Sequence, residues 1–288
     1  MPIRVQGRHA ASELTVTTRL GSTIITPGDG GKFDEELPVS MTDGLLDSDD
    51  ITGESRGDAI TVDYPSRPDY VLHIIGQSNA AGTVAGPAPY TNLANMLNDD
   101  GTEYVPAGAG NVYGLEAPLS EYWTAANSVT VIKTATGGVH IGNWISNFWP
   151  THSAAIDSAT YPAEAQHIFA WIQGESNAVD DYSGTYDYEA KSRELFGLIR
   201  AKLPTAHIVD VKLNAAAVYE DASNTAQQDL RRSRAAALNV AKQGIADDLA
   251  HVDAIGDSAG YTLRPQAMVQ HYDAAAYQVM ANDFLGVI

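Results

Sequence analysis

The chain has no cysteine, little basic charge and no long apolar run. Without cysteine there is no disulfide framework, no thiolate nucleophile and no cysteine-based metal site. Only 17 lysines and arginines stand against 36 aspartates and glutamates, for a formal charge of −19. A field of that sign repels phosphate backbones and anionic headgroups, so neither nucleic acid nor a membrane surface is an expected partner. No apolar stretch approaches the roughly 18 residues that a membrane-spanning helix needs. The opening residues, 1–14, lack the apolar segment of a secretory signal peptide, so export by that route is not expected. No pair of histidines has metal-ligand spacing, and neither a metal nor any other cofactor is expected.

What is present suits a globular protein. A length of 288 residues with 44% apolar content fits one large domain, or an ordinary domain with a small appendage. A boundary is expected at Pro65, Ser66, Arg67, Pro68 and Asp69, because two prolines in five residues favour extended backbone and interrupt regular structure. Residues 1–68 before it are rich in Thr, Gly and Asp, with short β-like runs at 14–18 and 23–25 and few large apolar side chains. They read as a β-rich arm that docks on the main domain, a sister subunit or a larger assembly. Residues 69–288 form the second expected unit.

There the pattern alternates. Nearly continuous apolar runs at 70–75, 129–132, 168–172, 208–213 and, more weakly, 249–255 suit strands buried on both faces of a parallel sheet. Between them, residues 187–202 place Tyr188, Leu195 and Ile199 on one helical face. Residues 223–242 align Ala226, Leu230, Ala237 and Ala241, and a last helix after Asp273 stacks Ala276, Met280 and Phe284. The predicted fold is an α/β sandwich of three layers, with a mainly parallel sheet of about five strands. The basic cluster Arg231, Arg232 and Arg234 reads as a solvated helix face.

Ligands of open parallel sheets sit beyond the carboxyl ends of the strands, so the segments just after each strand carry the most information. After the first come Gly76, Gln77, Ser78 and Asn79, a sharp turn that would set a serine at a helix start. After the second come Thr136, Gly137 and Gly138, whose amides a substrate can approach closely. After the third come Gln173, Gly174, Glu175, Ser176 and Asn177. Singly these read as a helix cap, a turn and a polar loop. Together they crowd a hydroxyl nucleophile and several hydrogen-bond donors onto one sheet edge, which is what acyl transfer requires.

These three motifs, with Lys133 and Thr134 before the glycines and Trp144 and Trp171 nearby, resemble the sialic-acid-specific acetylesterase and acetylxylan esterase family. That family lies within the SGNH-hydrolase superfamily, of flavodoxin-like architecture. The resemblance spans about residues 69–286 and implies an esterase that removes O-acetyl groups from carbohydrate. It implies Ser78 as nucleophile, and Ser78, Gly137, Gly138 and Gln173 around the oxyanion. Gln77, Asn79, His140 and Asn177 are expected to line the substrate site. His271 precedes the last helix, where the family carries its base. The family's usual aspartate three residues earlier is replaced by Met268, which cannot orient an imidazole. Glu175 is the first candidate to replace it, with Asp253 and Asp257 behind, and a Ser-His dyad is the remaining option.

Two readings follow. In one, Ser78 attacks an acetyl ester and His271 shuttles the proton. In the other, the loss of the aspartate marks an esterase fold retained for carbohydrate binding or structure. Residues 1–68 suit attachment to a phage tail or capsid in either case, or formation of a homo-oligomer.

Overall fold

The structure is a computed structural model. It describes the strands within residues 1–63 by their backbone, and residues 69–84, 96–98, 113–120, 129–179, 187–216, 225–256, 261–263 and 271–288. The chain forms two compact units, one of Met1–Arg67 and the other of Pro68–Val287.

The first unit contains strands β1 (Pro2–Arg8), β2 (Leu14–Thr18), β3 (Gly21–Ile25), β4 (Lys32–Pro38), β5 (Ile51–Thr52) and β6 (Thr61–Asp63). They make two antiparallel sheets of three strands each, in the orders β4-β1-β6 and β3-β2-β5.

The second unit is an α/β sandwich. Its strands are β7 (Tyr70–Gly76), β8 (Met96–Asn98), β9 (Val129–Ala135), β10 (Gln166–Ile172), β11 (His207–Val211) and β12 (Val252–Ile255). All pair in parallel, in the order β12-β11-β10-β7-β9-β8. Five lie on the predicted apolar runs, and the three-residue edge strand β8 was not expected. β12 is shorter than its predicted run, because residues 249–251 form the turn that follows the preceding helix. Every residue of β7 is buried, as a strand covered on both faces requires.

The helices are α1 (Ser78–Ala81), α2 (Glu116–Ser120), α3 (Ile141–Asn143), α4 (Trp149–Ser158), α5 (Glu175–Val179), α6 (Tyr188–Lys202), α7 (Thr225–Asp248) and α8 (Ala274–Leu285). A π-helical turn, Trp144–Phe148, joins α3 to α4. α6 and α8 bury the faces expected of them, and Asp273 caps α8 by accepting from Ala276 N at 2.8 Å.

α7 corrects its predicted face. Leu230 is half exposed and Ala237 exposed, while Arg231, Ala235, Lys242 and Ile245 are buried. The basic cluster is therefore a solvated face only in part, since Arg231 is buried while Arg232 and Arg234 are half-buried. Lys242 pairs with Asp210 on β11, both wholly buried, so the two charges satisfy each other inside the sandwich. Apolar spacing misses a helix whose buried stripe includes cations.

A row of histidines runs through the centre. His73 on β7 is fully buried and stacks on Phe169 at 4.0 Å between ring centroids. Its Nδ1 lies 3.1 Å from His152 Nε2 and its Nε2 lies 2.9 Å from His167 Nδ1. His152 Nδ1 in turn lies 2.9 Å from Thr134 Oγ1. A neutral imidazole has one donor and one acceptor, so the three rings can pass hydrogen bonds along the row in one direction while all are uncharged, and burial opposes a charge on any of them. Burial holds His73 well below the usual imidazole range, His152 at about 3, and His167 lowered.

The unfolded chain takes up protons on these rings below about pH 6.5, while the folded chain does not. Stability from the row is therefore complete above that pH and is lost as pH falls through it. The expected slope is about 1.4 kcal/mol per pH unit for each proton that only the unfolded chain binds. Urea unfolding at pH 7.5 and 5.5 should show a drop that shrinks in a His73→Phe, His152→Leu variant. An equal drop in both proteins would count against the row as its source.

Candidate active site

The chain leaves β7 at the centre of the sheet, builds β8 and β9 on one side, then crosses to build β10 on the other. The carboxyl end of β7 is therefore the switch point, where an open sheet offers its crevice. In register, Gly76 stands level with Ala135 on β9 and Ile172 on β10, so the three motifs begin at one height.

Gly76 makes that meeting possible. It has φ +140°, and a Cβ there would lie 2.0 Å from the carbonyl oxygen of Ile172. No other residue type fits against that backbone. Its own carbonyl accepts from the Trp144 indole at 2.9 Å and from Thr136 N at 3.3 Å, and Gln77 N donates to Ile172 O at 3.1 Å. α1 then starts at Ser78, half-buried at the edge. Thr136, Gly137 and Gly138 are exposed beside it, and a Cβ on Gly137 would lie 3.7 Å from that of Ser78. From the far end of the chain, His271 brings its Nε2 to 2.9 Å from Ser78 Oγ.

The family profile described as carbohydrate esterase, sialic acid-specific acetylesterase matches residues 106–260, just over half of the chain. The chain belongs to this family. The match takes in Gly137, Gly138, Gln173 and Glu175, and stops short of Ser78 on one side and His271 on the other. No curated protein matches. Among solved structures, a protein from Arabidopsis thaliana is similar at 17% identity over 76% of this chain and 97% of its own, with a TM-score of 0.54, which shows the fold. An acetylxylan esterase from Geobacillus stearothermophilus, in a catalytic mutant, is similar at 16% identity over 77% and 96%, with a TM-score of 0.48. A carbohydrate acetylesterase from Xanthomonas citri reaches 14% identity over 100% of this chain and 70% of its own, with a TM-score of 0.41. The protein is a carboxylic ester hydrolase of this family.

Several residues expected to face substrate instead brace the esterase's edge from behind. Gln173 is wholly buried, and its amide nitrogen lies 3.1 Å from Val139 O and 2.7 Å from Asn177 Oδ1. Both of its N–H bonds are thereby used on the framework, which removes it as an oxyanion donor. Asn177 Oδ1 also accepts from Ile141 N at 3.3 Å, holding the start of α3. Gln77 Oε1 accepts from Ser176 N at 3.2 Å, tying α1 to α5. His140 is buried and caps α3 through Nδ1, 3.5 Å from Asn143 N. Asn79 is buried as well. A motif shows which residue types gather at a strand end, not which of them point outward.

The orienting acid is corrected too. Glu175 accepts from the Asn79 amide through Oε1 and does not reach His271, while its Oε2 meets no hydrogen-bond donor. Burial pushes its carboxyl above the ordinary carboxylate range, against the opposing pull of the Asn79 hydrogen bond. Asp253 pairs with His207 at 2.6 Å. Asp257 and Met268 lie outside the described residues. Among the described residues no group of three or more His, Asp or Glu is placed to hold a metal.

Thr83, Tyr272 and Tyr277, which the sequence did not single out, form the rest of the brace. Thr83 Oγ1 donates to Tyr272 O at 2.8 Å and lies 3.1 Å from the Tyr277 hydroxyl, which donates to Asn79 O at 2.8 Å. Tyr272 had the signal of standing next to His271, while Thr83 and Tyr277 had none beyond lying in the same two segments.

Gly76→Ala should lower the unfolding free energy by about 3 kcal/mol or more, since both the positive φ and the Ile172 carbonyl oppose a side chain. Urea titration measures this directly. A loss under about 1 kcal/mol would show that β7 and β10 can part without harm.

Proposed function

We propose that the protein is a serine esterase that removes O-acetyl groups from carbohydrate through an acetyl-Ser78 intermediate. The observation that carries the reading is His271 Nε2 at 2.9 Å from Ser78 Oγ, at the switch point of the sheet. That distance lies within reach for proton transfer between a nucleophile and its base.

In the first half-reaction, Ser78 Oγ attacks the acetyl carbonyl carbon as its proton passes to His271 Nε2. The carbonyl oxygen becomes an oxyanion, and main-chain N–H groups of Ser78 and the exposed Gly137–Gly138 turn supply its donors. The intermediate collapses, the sugar oxygen leaves, and it takes the proton from His271. Water then attacks the acetyl-enzyme with His271 again as base, releasing acetate and restoring Ser78. The buried glutamine and asparagine side chains keep the turn in place during both steps.

The N-terminal unit, residues 1–68, serves in this reading as a separate attachment module, because every proposed catalytic group lies after Pro68.

Ser78→Ala should abolish hydrolysis of 4-nitrophenyl acetate while leaving the thermal midpoint within a few degrees of the parent. Wild-type rates in that variant would remove Ser78 as nucleophile. In the parent, kcat/KM should climb between roughly pH 5.5 and 7.5, because only neutral imidazole accepts the serine proton. A flat profile there would argue against His271 as base. A protein lacking residues 1–66 should keep its turnover, and an insoluble product would show that this segment completes the fold.

A further inference from the structure

The segment bearing His271 is far from Ser78 in the chain, and one buried amide joins the two. Asn79, next to Ser78, has no solvent exposure. Its Oδ1 accepts from the main-chain N–H of Tyr272 at 3.1 Å, and its Nδ2 donates to Glu175 Oε1. An amide offers one acceptor and one donor end. The Tyr272 N–H can only donate, and Glu175 Oε1 accepts from the Asn79 amide. With Glu175 holding the NH2 end, the oxygen of Asn79 must face Tyr272. On the other side of the same peptide, Thr83 Oγ1 donates to Tyr272 O.

We propose that Asn79 and Glu175 are a positioning pair: the carboxylate sets the orientation of the amide, and the amide holds the Tyr272 backbone so that His271 stays within hydrogen-bond reach of Ser78. The inference rests on the reading of Ser78 and His271 as nucleophile and base. It assigns Glu175 a role one step removed from the imidazole.

The pair can be tested by exchanging its chemistry. Asn79→Asp keeps the acceptor for Tyr272 but sets two carboxylates against each other. Glu175→Gln alone keeps an acceptor for Asn79. The double variant, Asn79→Asp with Glu175→Gln, rebuilds the contact with donor and acceptor reversed.

With 4-nitrophenyl acetate at pH 8, Asn79→Asp should lower kcat by at least about tenfold, toward the roughly 10²-fold that a misplacement of about 1 Å can cost. KM should stay within about twofold, since the ester's own contacts are unchanged. Glu175→Gln should cost a few-fold at most, and the double variant should return to within about threefold of the parent. Thermal midpoints above the assay temperature confirm that folded protein is compared. Unchanged kcat in Asn79→Asp, a change confined to KM, or no recovery in the double variant overturns the pair.

The ¹⁵N resonances of the His271 ring, followed in the full chain, give a readout independent of turnover. Asn79→Asp should shift them and the double variant should restore them. If the parent hydrolyses nothing, the esterase reading fails while these shifts still decide the pair. His271 resonances indifferent to Asn79→Asp overturn it whether or not the protein is active.

Discussion

The active edge depends on one close approach, between the backbone of Gly76 and the carbonyl of Ile172. Two adjacent parallel strands end at the same height, and the chain must turn away from one without a side chain striking the other. The absence of a Cβ at Gly76 resolves that conflict. From this point Gln77 donates back to Ile172, Ser78 opens α1, and the Gly76 carbonyl receives Trp144 and the start of the glycine turn. Ser78, the glycine turn and the sheet are thus referred to one peptide. A 2.9 Å contact to a histidine 193 residues away would otherwise be difficult to maintain.

Around that peptide the polar residues divide by burial and not by type. Ser78, Thr136, Gly137 and Gly138 meet solvent or are half-buried, and His271 joins them. Gln77, Asn79, Gln173, Glu175 and Asn177 are buried, and the hydrogen bonds they make go to backbone or to one another, with Gln173 Oε1 and Glu175 Oε2 left unpartnered. Buried amides left unpaired would each cost about 1–3 kcal/mol, so their pairing also restricts the edge to one arrangement. A single hydroxyl is presented on a support whose own side chains are locked. Charge follows the same division. Lys242 with Asp210, and Lys133 with Glu116 at 2.8 Å, neutralise one another inside the unit, although the chain as a whole is strongly acidic.

Four of the histidines stand on opposite sides of this division. Three form a row inside the sandwich, where burial favours their neutral form. His271 stands at the edge beside Ser78, and in the proposed mechanism it accepts a proton only while neutral. The buried row and the proposed base therefore favour the same range, above about pH 6.5.

Much of the fold was legible in the sequence. Fully buried parallel strands leave continuous apolar runs, so five of the six strands of the main sheet, and the faces of α6 and α8, could be read from hydrophobic pattern alone. Ser78, the glycine turn and the Gln173–Asn177 segment were found because ligand sites gather after strand ends. The pattern failed where burial and polarity coincide. α7 hides Arg231 and Lys242, and β8 is too short to leave a run. It could not distinguish Gln173 as a donor to substrate from Gln173 as a brace, nor send Glu175 to Asn79 and not to His271. Local sequence sets which segments are strands and which side chains gather at their ends. The direction each polar side chain faces is set by partners far along the chain, because a buried donor settles on whichever acceptor the assembled fold brings within reach.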